Sequence, residues 1–150
     1  MNMKNRGVTL LELLVTVAIV VVLASVSIPS FQRMMADNRL MASYNDVLVG
    51  LNVARSEAIK RRQEVTFDVT SSTPWGYQVK VDGMESPVRV RRADEGTVSL
   101  DDEDFSVTFD ALGKATSCAS GCRLTLTHSR IGDRVIEVSA MGRVGRGASS

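Results

Sequence analysis

Lys4-Asn5-Arg6-Gly7-Val8-Thr9-Leu10-Leu11-Glu12-Leu13-Leu14 opens a run that stays uncharged from Val15 to Ile28. Val8 to Ile28 is 21 residues with one charge, Glu12. At about 1.5 Å rise per residue a helix of that length spans ~30 Å, the thickness of a bilayer's hydrocarbon core. A carboxylate in such a segment costs about 2.5 kcal/mol or more when nothing pairs with it. What Glu12 pairs with is therefore the first question the chain poses. A cleaved secretory signal has a basic leader, an apolar core and a small-residue cleavage site, for which Ala24-Ser25-Val26-Ser27 would serve. An ordinary single-pass anchor needs only the apolar run, with Lys4 and Arg6 keeping the N-terminus cytoplasmic. Neither gives Glu12 a role.

After Pro29, apolar residues recur every three or four positions: Phe31, Met34, Met35, Met41, Tyr44, Leu48, Leu51, Ala54, Ala58 and Ile59. That spacing predicts an amphipathic helix. Its methionines and Tyr44 are expected in the core against the domain that follows. Pro29 removes one backbone hydrogen bond and crowds the preceding turn, so a kink or local melt is expected there. The helix should end near Lys60-Arg61-Arg62, where basic side chains favour the negative end of the helix dipole. From Glu64 the period changes to two. Val65-Phe67-Val69, Tyr77-Val79-Val81, Val88-Val90, Val107-Phe109, Leu124-Leu126 and, less cleanly, Val135-Ile136-Val138 alternate with polar residues, between turn signals such as Asp82-Gly83 and Leu112-Gly113. Short strands at this spacing predict an antiparallel assembly with one modest core. No internal repeat is visible.

Formal net charge is +1, which gives no general support for nucleic-acid binding. Residues 63–150 carry ten basic and thirteen acidic side chains. Two cysteines and one histidine are too few for a structural zinc site. In an exported domain, an even cysteine count favours one small loop closed by Cys118 and Cys122; two free buried thiols are the alternative. His128 has no serine or cysteine partner in sequence reach and reads as a polar strand residue. Asp101-Asp102-Glu103-Asp104 lacks the glycine and alternating spacing of a calcium loop, so it reads as a solvated acidic loop. No metal, cofactor or catalytic residue is expected.

Arg6-Gly7 followed by Val8-Thr9-Leu10-Leu11-Glu12-Leu13 resembles the class III signal of type IV pilins and type II secretion pseudopilins. The resemblance implies that a prepilin peptidase cuts between Gly7 and Val8 and that the new Val8 amine is methylated. Val8 stands where the family usually has phenylalanine. Such a cut creates a positive amine four residues from Glu12, and pairing two lipid-buried charges offsets part of their desolvation. An incoming subunit would offer Glu12 to the Val8 amine of its neighbour. Pro29 falls where many pilins have a proline.

The order of elements, with Phe109-Asp110-Ala111-Leu112-Gly113-Lys114 and Ile136-Glu137-Val138-Ser139-Ala140-Met141-Gly142-Arg143, resembles the GspH/FimT branch of that superfamily. It implies an α+β pilin-like fold: a long N-terminal helix, transmembrane in its first half, packed on an antiparallel sheet or sandwich. The implied organisation is a leader at 1–7, a transmembrane and filament-core helix at 8–28, its amphipathic continuation at 29–62, and a periplasmic β-rich domain at 63–150 with a flexible basic tail. The implied partners are other pilins, the prepilin peptidase and the inner membrane. The implied location is single-pass in that membrane, and extracellular once in a pilus.

Gly142-Arg143-Val144-Gly145-Arg146-Gly147 places two arginines three apart in glycine-bearing chain. Arg123, Arg130 and Arg134 lie upstream, so residues 123–150 hold five basic and two acidic side chains. Guanidinium forks match phosphate oxygens, and glycine lets backbone amides approach as well. The tail resembles the Gly-Arg-x-x-Arg pattern of FimT-type minor pilins, which implies sequence-independent binding of double-stranded DNA for natural transformation. Arg143 and Arg146 would make the contacts, with Arg134 and Arg130 beside them. The plainer alternative is a final Gly-Arg strand with a solvated end. A pseudopilin H-type subunit of type II secretion fits the same sequence.

Overall fold

Thr9 starts the helix. Its Oγ1 accepts a hydrogen bond from the Glu12 N–H at 3.2 Å, satisfying one of the donors that every helix N-terminus leaves bare. In this computed structural model, which describes residues 9–148, helix α1 covers Leu10–Arg61. The chain divides into two compact units, one up to Met35 and one from Ala36 onward.

In the first unit the side chains from Leu10 to Leu23, and those of Ile28, Phe31, Met34 and Met35, are exposed. The hydroxyls of Thr16, Ser25 and Ser27 donate back to the carbonyls of Leu13, Val22 and Leu23 at 2.8, 2.7 and 3.0 Å. Such internal pairing is what a bilayer demands of polar groups. The helix runs through Pro29. Of the two outcomes expected at Pro29, a kink or a local melt, the melt is absent; the proline still withholds a donor from the preceding turn.

In the second unit α1 buries Ala36, Leu40, Tyr44, Val47, Leu51, Ala54 and Ala58. The period matches the sequence reading, and Tyr44, Leu51, Ala54 and Ala58 are buried as expected, but two positions of the stripe shift by one residue. Leu40 and Val47 lie at its centre, while Met41 and Leu48 pack at its margin and Ile59 is exposed. Met34 and Met35 are not core residues at all. Both stripes satisfy a 3.6-residue period. Ala54 and Ala58 are common to both, and the sheets cover the one that runs through Leu40, Val47 and Gly50. The helix closes with Arg62 at φ 56° and the Gln63 N–H reaching the Ala58 carbonyl at 3.3 Å, a Schellman-type end with arginine in the usual glycine place.

Eight strands follow: β1 Val65–Ser72, β2 Trp75–Val81, β3 Arg89–Arg92, β4 Val98–Leu100, β5 Ser106–Phe109, β6 Cys122–His128, β7 Gly132–Val138 and β8 Val144–Arg146. They form two four-stranded antiparallel sheets, ordered β3-β2-β1-β5 and β4-β6-β7-β8. One apolar cluster joins both sheets to the buried face of α1. Alternation places Val65, Phe67 and Val69 inward from β1, and Leu124 and Leu126 inward from β6. His128 continues that inward set. It is the strand residue expected, and it is buried, with Nδ1 accepting from the Arg130 N–H at 3.2 Å. Val90 on edge strand β3 is 60% exposed, and Val88 packs on the core instead.

One strand escaped the sequence reading, β4, because three residues are too few to display a period of two; β8, equally short, is the final Gly-Arg strand given above as the plainer alternative. β8 also corrects the flexible tail. Val144–Arg146 pair with β7, and the Gly147 N–H donates to the Val135 carbonyl at 2.8 Å.

Tyr77 fastens the helix to the first sheet. Its ring stacks on Phe67 at 4.7 Å between centroids and faces Trp75 at 6.2 Å. The hydroxyl donates to the Asp46 carbonyl at 3.0 Å and accepts from Arg89 Nε at 3.0 Å. Burial pushes its phenol above the ordinary range. The ring occupies the space a side chain at Gly50 would need: a Cβ there would meet the ring at 2.5 Å. On propensity alone, alanine at a mid-helix glycine stabilises by about 1 kcal/mol. Here overpacking outweighs that gain, so Gly50→Ala should destabilise by roughly 1–3 kcal/mol in urea denaturation. A stabilised variant would mean that Tyr77 does not seat on Gly50.

Candidate functional site

Two surfaces remain after the core is accounted for. The first is the exposed apolar helix. Its N-terminal part is long and apolar enough to cross a membrane. Glu12 lies in its first turn, where the positive end of the helix dipole favours an anion. Thr9-Leu10-Leu11-Glu12 has the Thr-x-x-Glu spacing of a capping box. This local contribution was missed in reading the sequence for a partner amine, although the spacing signals it. The expected cleavage and methylation positions, Gly7 and Val8, lie outside the described residues.

The second surface is built on a hairpin. The Ser139 N–H donates to the Arg143 carbonyl at 3.0 Å and the Gly142 N–H to the Ser139 carbonyl at 2.7 Å, with Gly142 at φ 76°. This three-residue loop needs a left-handed third position, hence the glycine. Asp110–Lys114 repeats the geometry: 2.9 Å from Asp110 N–H to Lys114 carbonyl, 2.8 Å from Gly113 N–H to Asp110 carbonyl, and φ 76° at Gly113. The two sequences, Asp110-Ala111-Leu112-Gly113-Lys114 and Ser139-Ala140-Met141-Gly142-Arg143, correspond position by position.

The loops also pack on each other. The Ala115 N–H donates to the Ala140 carbonyl at 3.1 Å, and Arg55 Nε from α1 donates to the Gly113 carbonyl at 3.2 Å. A Cβ on Gly142 would overlap the Gly113 carbonyl oxygen. Gly142 is thus constrained twice, by backbone angle and by contact. Gly83, at φ 75° with nothing near its Cβ, carries only the first constraint. Gly83→Ala should cost about 1–2 kcal/mol, and Gly142→Ala clearly more, roughly 3 kcal/mol or above, in paired thermal unfolding.

Beyond this hairpin lies an open groove of about 680 Å³. One wall is the loop 118–122, closed by a Cys118–Cys122 disulfide with Cα atoms 5.3 Å apart. The other wall is β8, with Arg143 and Arg146. Arg123, Glu137 and Gly145 stand in register across β6, β7 and β8 and form the floor. Arg123 donates to Glu137 at 2.7 Å, so that pair is neutralised. Among the described residues neither the Arg143 nor the Arg146 guanidinium has an ion-pair partner.

The five arginines of the C-terminal stretch therefore do not form one cluster. Arg134 is half-buried and held by Asp37 of α1 at 2.9 Å. Arg130 sits in the β6–β7 turn, at the opposite end of those strands from Cys122 and Val138. Neither lines the groove, because strand direction separates residues that are close in sequence. The β6–β7–β8 ladder brings Arg123 to Gly145, on the face shared with Arg143, while Arg146 falls on the next rung with Ile136. The acidic loop is held by its own carboxylates: Asp101 Oδ1 accepts from the Thr125 N–H at 2.8 Å and Asp102 Oδ1 from the Asp104 N–H at 3.0 Å.

Comparison with known proteins adds the following. The family model described as "Type II transport protein GspH" matches residues 44–142, and that of the "Prokaryotic N-terminal methylation motif" matches residues 2–28. Two Pseudomonas aeruginosa proteins, each named "Fimbrial protein", are 30% identical over 130 residues, which is 85% of this chain and 82% of theirs. Two crystal structures of the P. aeruginosa type IV minor pilin FimU share the fold. Their TM-scores are 0.62 and 0.59 at 20% and 21% identity, covering 75% and 72% of this chain and 90% and 92% of theirs. The GspH match stops at Gly142, so Arg143 and Arg146 lie beyond it.

Proposed function

The chain belongs to the GspH family of type IV pilin-like proteins, and from that premise we propose that it is a minor subunit of a type IV pilus, placed at or near the tip. Like its family it is a structural subunit and not an enzyme. The observation that carries the proposal is the exposed apolar helix whose one acid, Glu12, sits in the first turn. Before assembly the helix would lie in the inner membrane with the β-rich domain in the periplasm. In the filament, neighbouring helices would replace the lipid. Prepilin peptidase would cut between Gly7 and Val8, and the methylated Val8 amine of one subunit would meet Glu12 of the next. A misplaced helix would leave both charges bare, so Glu12 sets register more than it adds net stability. Glu12→Ala should leave the chain in the membrane fraction and deplete it from sheared filaments about tenfold, a loss of ~1.4 kcal/mol. Normal abundance in filaments would overturn the role given to Glu12. The family description also names type II transport. On that alternative, deleting the gene would block protein export and leave pili intact.

The two unpaired guanidinium groups at the groove support a second activity, sequence-independent binding of double-stranded DNA for natural transformation. Contacts to phosphates release counterions, so affinity should fall steeply with salt. With full-length protein in neutral detergent, duplex DNA should bind at low salt. An Arg143→Gln/Arg146→Gln double variant should flatten the slope of log affinity against log salt by about two. No binding at low salt, or equal binding by the double variant, would remove this activity.

A further inference from the structure

We infer that a DNA phosphate backbone lies in the groove on the outer face of β6–β8, with Gly145 as its floor, Arg123 as a third contact and Glu137 as a built-in counterweight. This rests on the DNA-binding reading above and specifies its site.

Four observations converge. Gly145 lies on β8 between Arg143, which precedes the strand and falls on the same face, and Arg146, whose pairing with buried Ile136 turns it to the other face at the groove's edge. No atom lies within 4 Å of where a Gly145 Cβ would be. The strand is therefore bare there, and a backbone can approach it closely. Its φ is not left-handed, so the glycine is not demanded by a turn. Register then sets Glu137 and Arg123 beside Gly145 on the same face. Strands are about 4.8 Å apart, so Arg123 lies roughly 10 Å from Gly145 across the sheet. The disulfide loop fixes the far wall, so the ligand meets a bounded trough.

Charge completes the argument. Arg143 and Arg146 point the groove toward anions, and Glu137 opposes them. While Glu137 holds Arg123 at 2.7 Å, one positive charge of the groove is masked. An incoming phosphate competes with the Glu137 carboxylate for the Arg123 fork. Binding is thereby kept weak and reversible.

The test titrates full-length protein in neutral detergent with a labelled duplex over a range of salt, with thermal midpoints measured for every variant. Gly145→Leu fills the trough without changing charge and should lower affinity about tenfold. Arg123→Gln should flatten the salt slope by about one. Glu137→Gln should tighten binding, because it removes an acid and frees Arg123. Arg92→Gln, on the distant edge strand β3, removes the same charge outside the groove and should change little. Suppose wild-type protein binds and the Arg143→Gln/Arg146→Gln variant does not, yet Gly145→Leu and Arg123→Gln bind like wild type. The groove assignment is then overturned while DNA binding stands. If wild-type protein does not bind, both fall. Should Gly145→Leu fail to fold, Arg123→Gln and Glu137→Gln decide.

Discussion

A helix that is apolar on every side must be covered by something, and this chain does not cover its own. From Leu10 to Leu23 the side chains are exposed among the described residues, and the hydroxyls of Thr16, Ser25 and Ser27 are satisfied by the helix itself. Burying such a surface is favourable by roughly 25 cal/mol per Å² wherever an apolar medium is offered. Lipid and the helices of other subunits are both such media. What distinguishes the two is the acid in the first turn, which lipid cannot neutralise and a neighbouring amine can. On the proposed reading, the demand for cover and the demand for a counter-charge would together turn an anchor into an assembly element.

The same helix changes character from Ala36 onward. Its buried face alternates Leu40, Tyr44, Val47 and Leu51 with small residues, and Gly50 makes room for the Tyr77 ring. Glycine in mid-helix is unfavourable in isolation. It is tolerated because the aromatic stack of Phe67, Tyr77 and Trp75 fills the space gained. Five residues further along the helix from Gly50, paired glycine loops lock the second sheet's last hairpin against α1 through the Gly113 carbonyl and Arg55. That hairpin carries Arg143 into the groove. Packing at Gly142 is thus the structural cause of the arginine's position.

Much of the fold was legible in the sequence, for reasons that can be named. β1 and β2 combine β-branched and aromatic residues with a clean period of two, and β6 alternates leucine with threonine. The helix shows both its apolar run and its basic end at Lys60-Arg61. The shift at two positions of the stripe was not legible, since Leu40-Val47 and Met41-Leu48 satisfy the same period and only the partner surface chooses. Neither β4 nor β8 could show a pattern in three residues. The basic cluster was half legible: Arg143 and Arg146 stand out by composition. Arg134's pairing with Asp37 and Arg123's arrival beside Gly145 depend on strand register over long separations. The likeness of the two glycine loops emerged only once both hairpins were seen to close the same way.

The central claim is that the apolar helix is kept in the mature protein and begins with an amine made for Glu12. The mass of the mature chain's N-terminal peptide tests this most directly. The account predicts a chain that starts at Val8 and carries a methyl group on its amine. A chain that starts after the Ala24–Ser27 stretch, or that retains Met1 to Gly7, would contradict it.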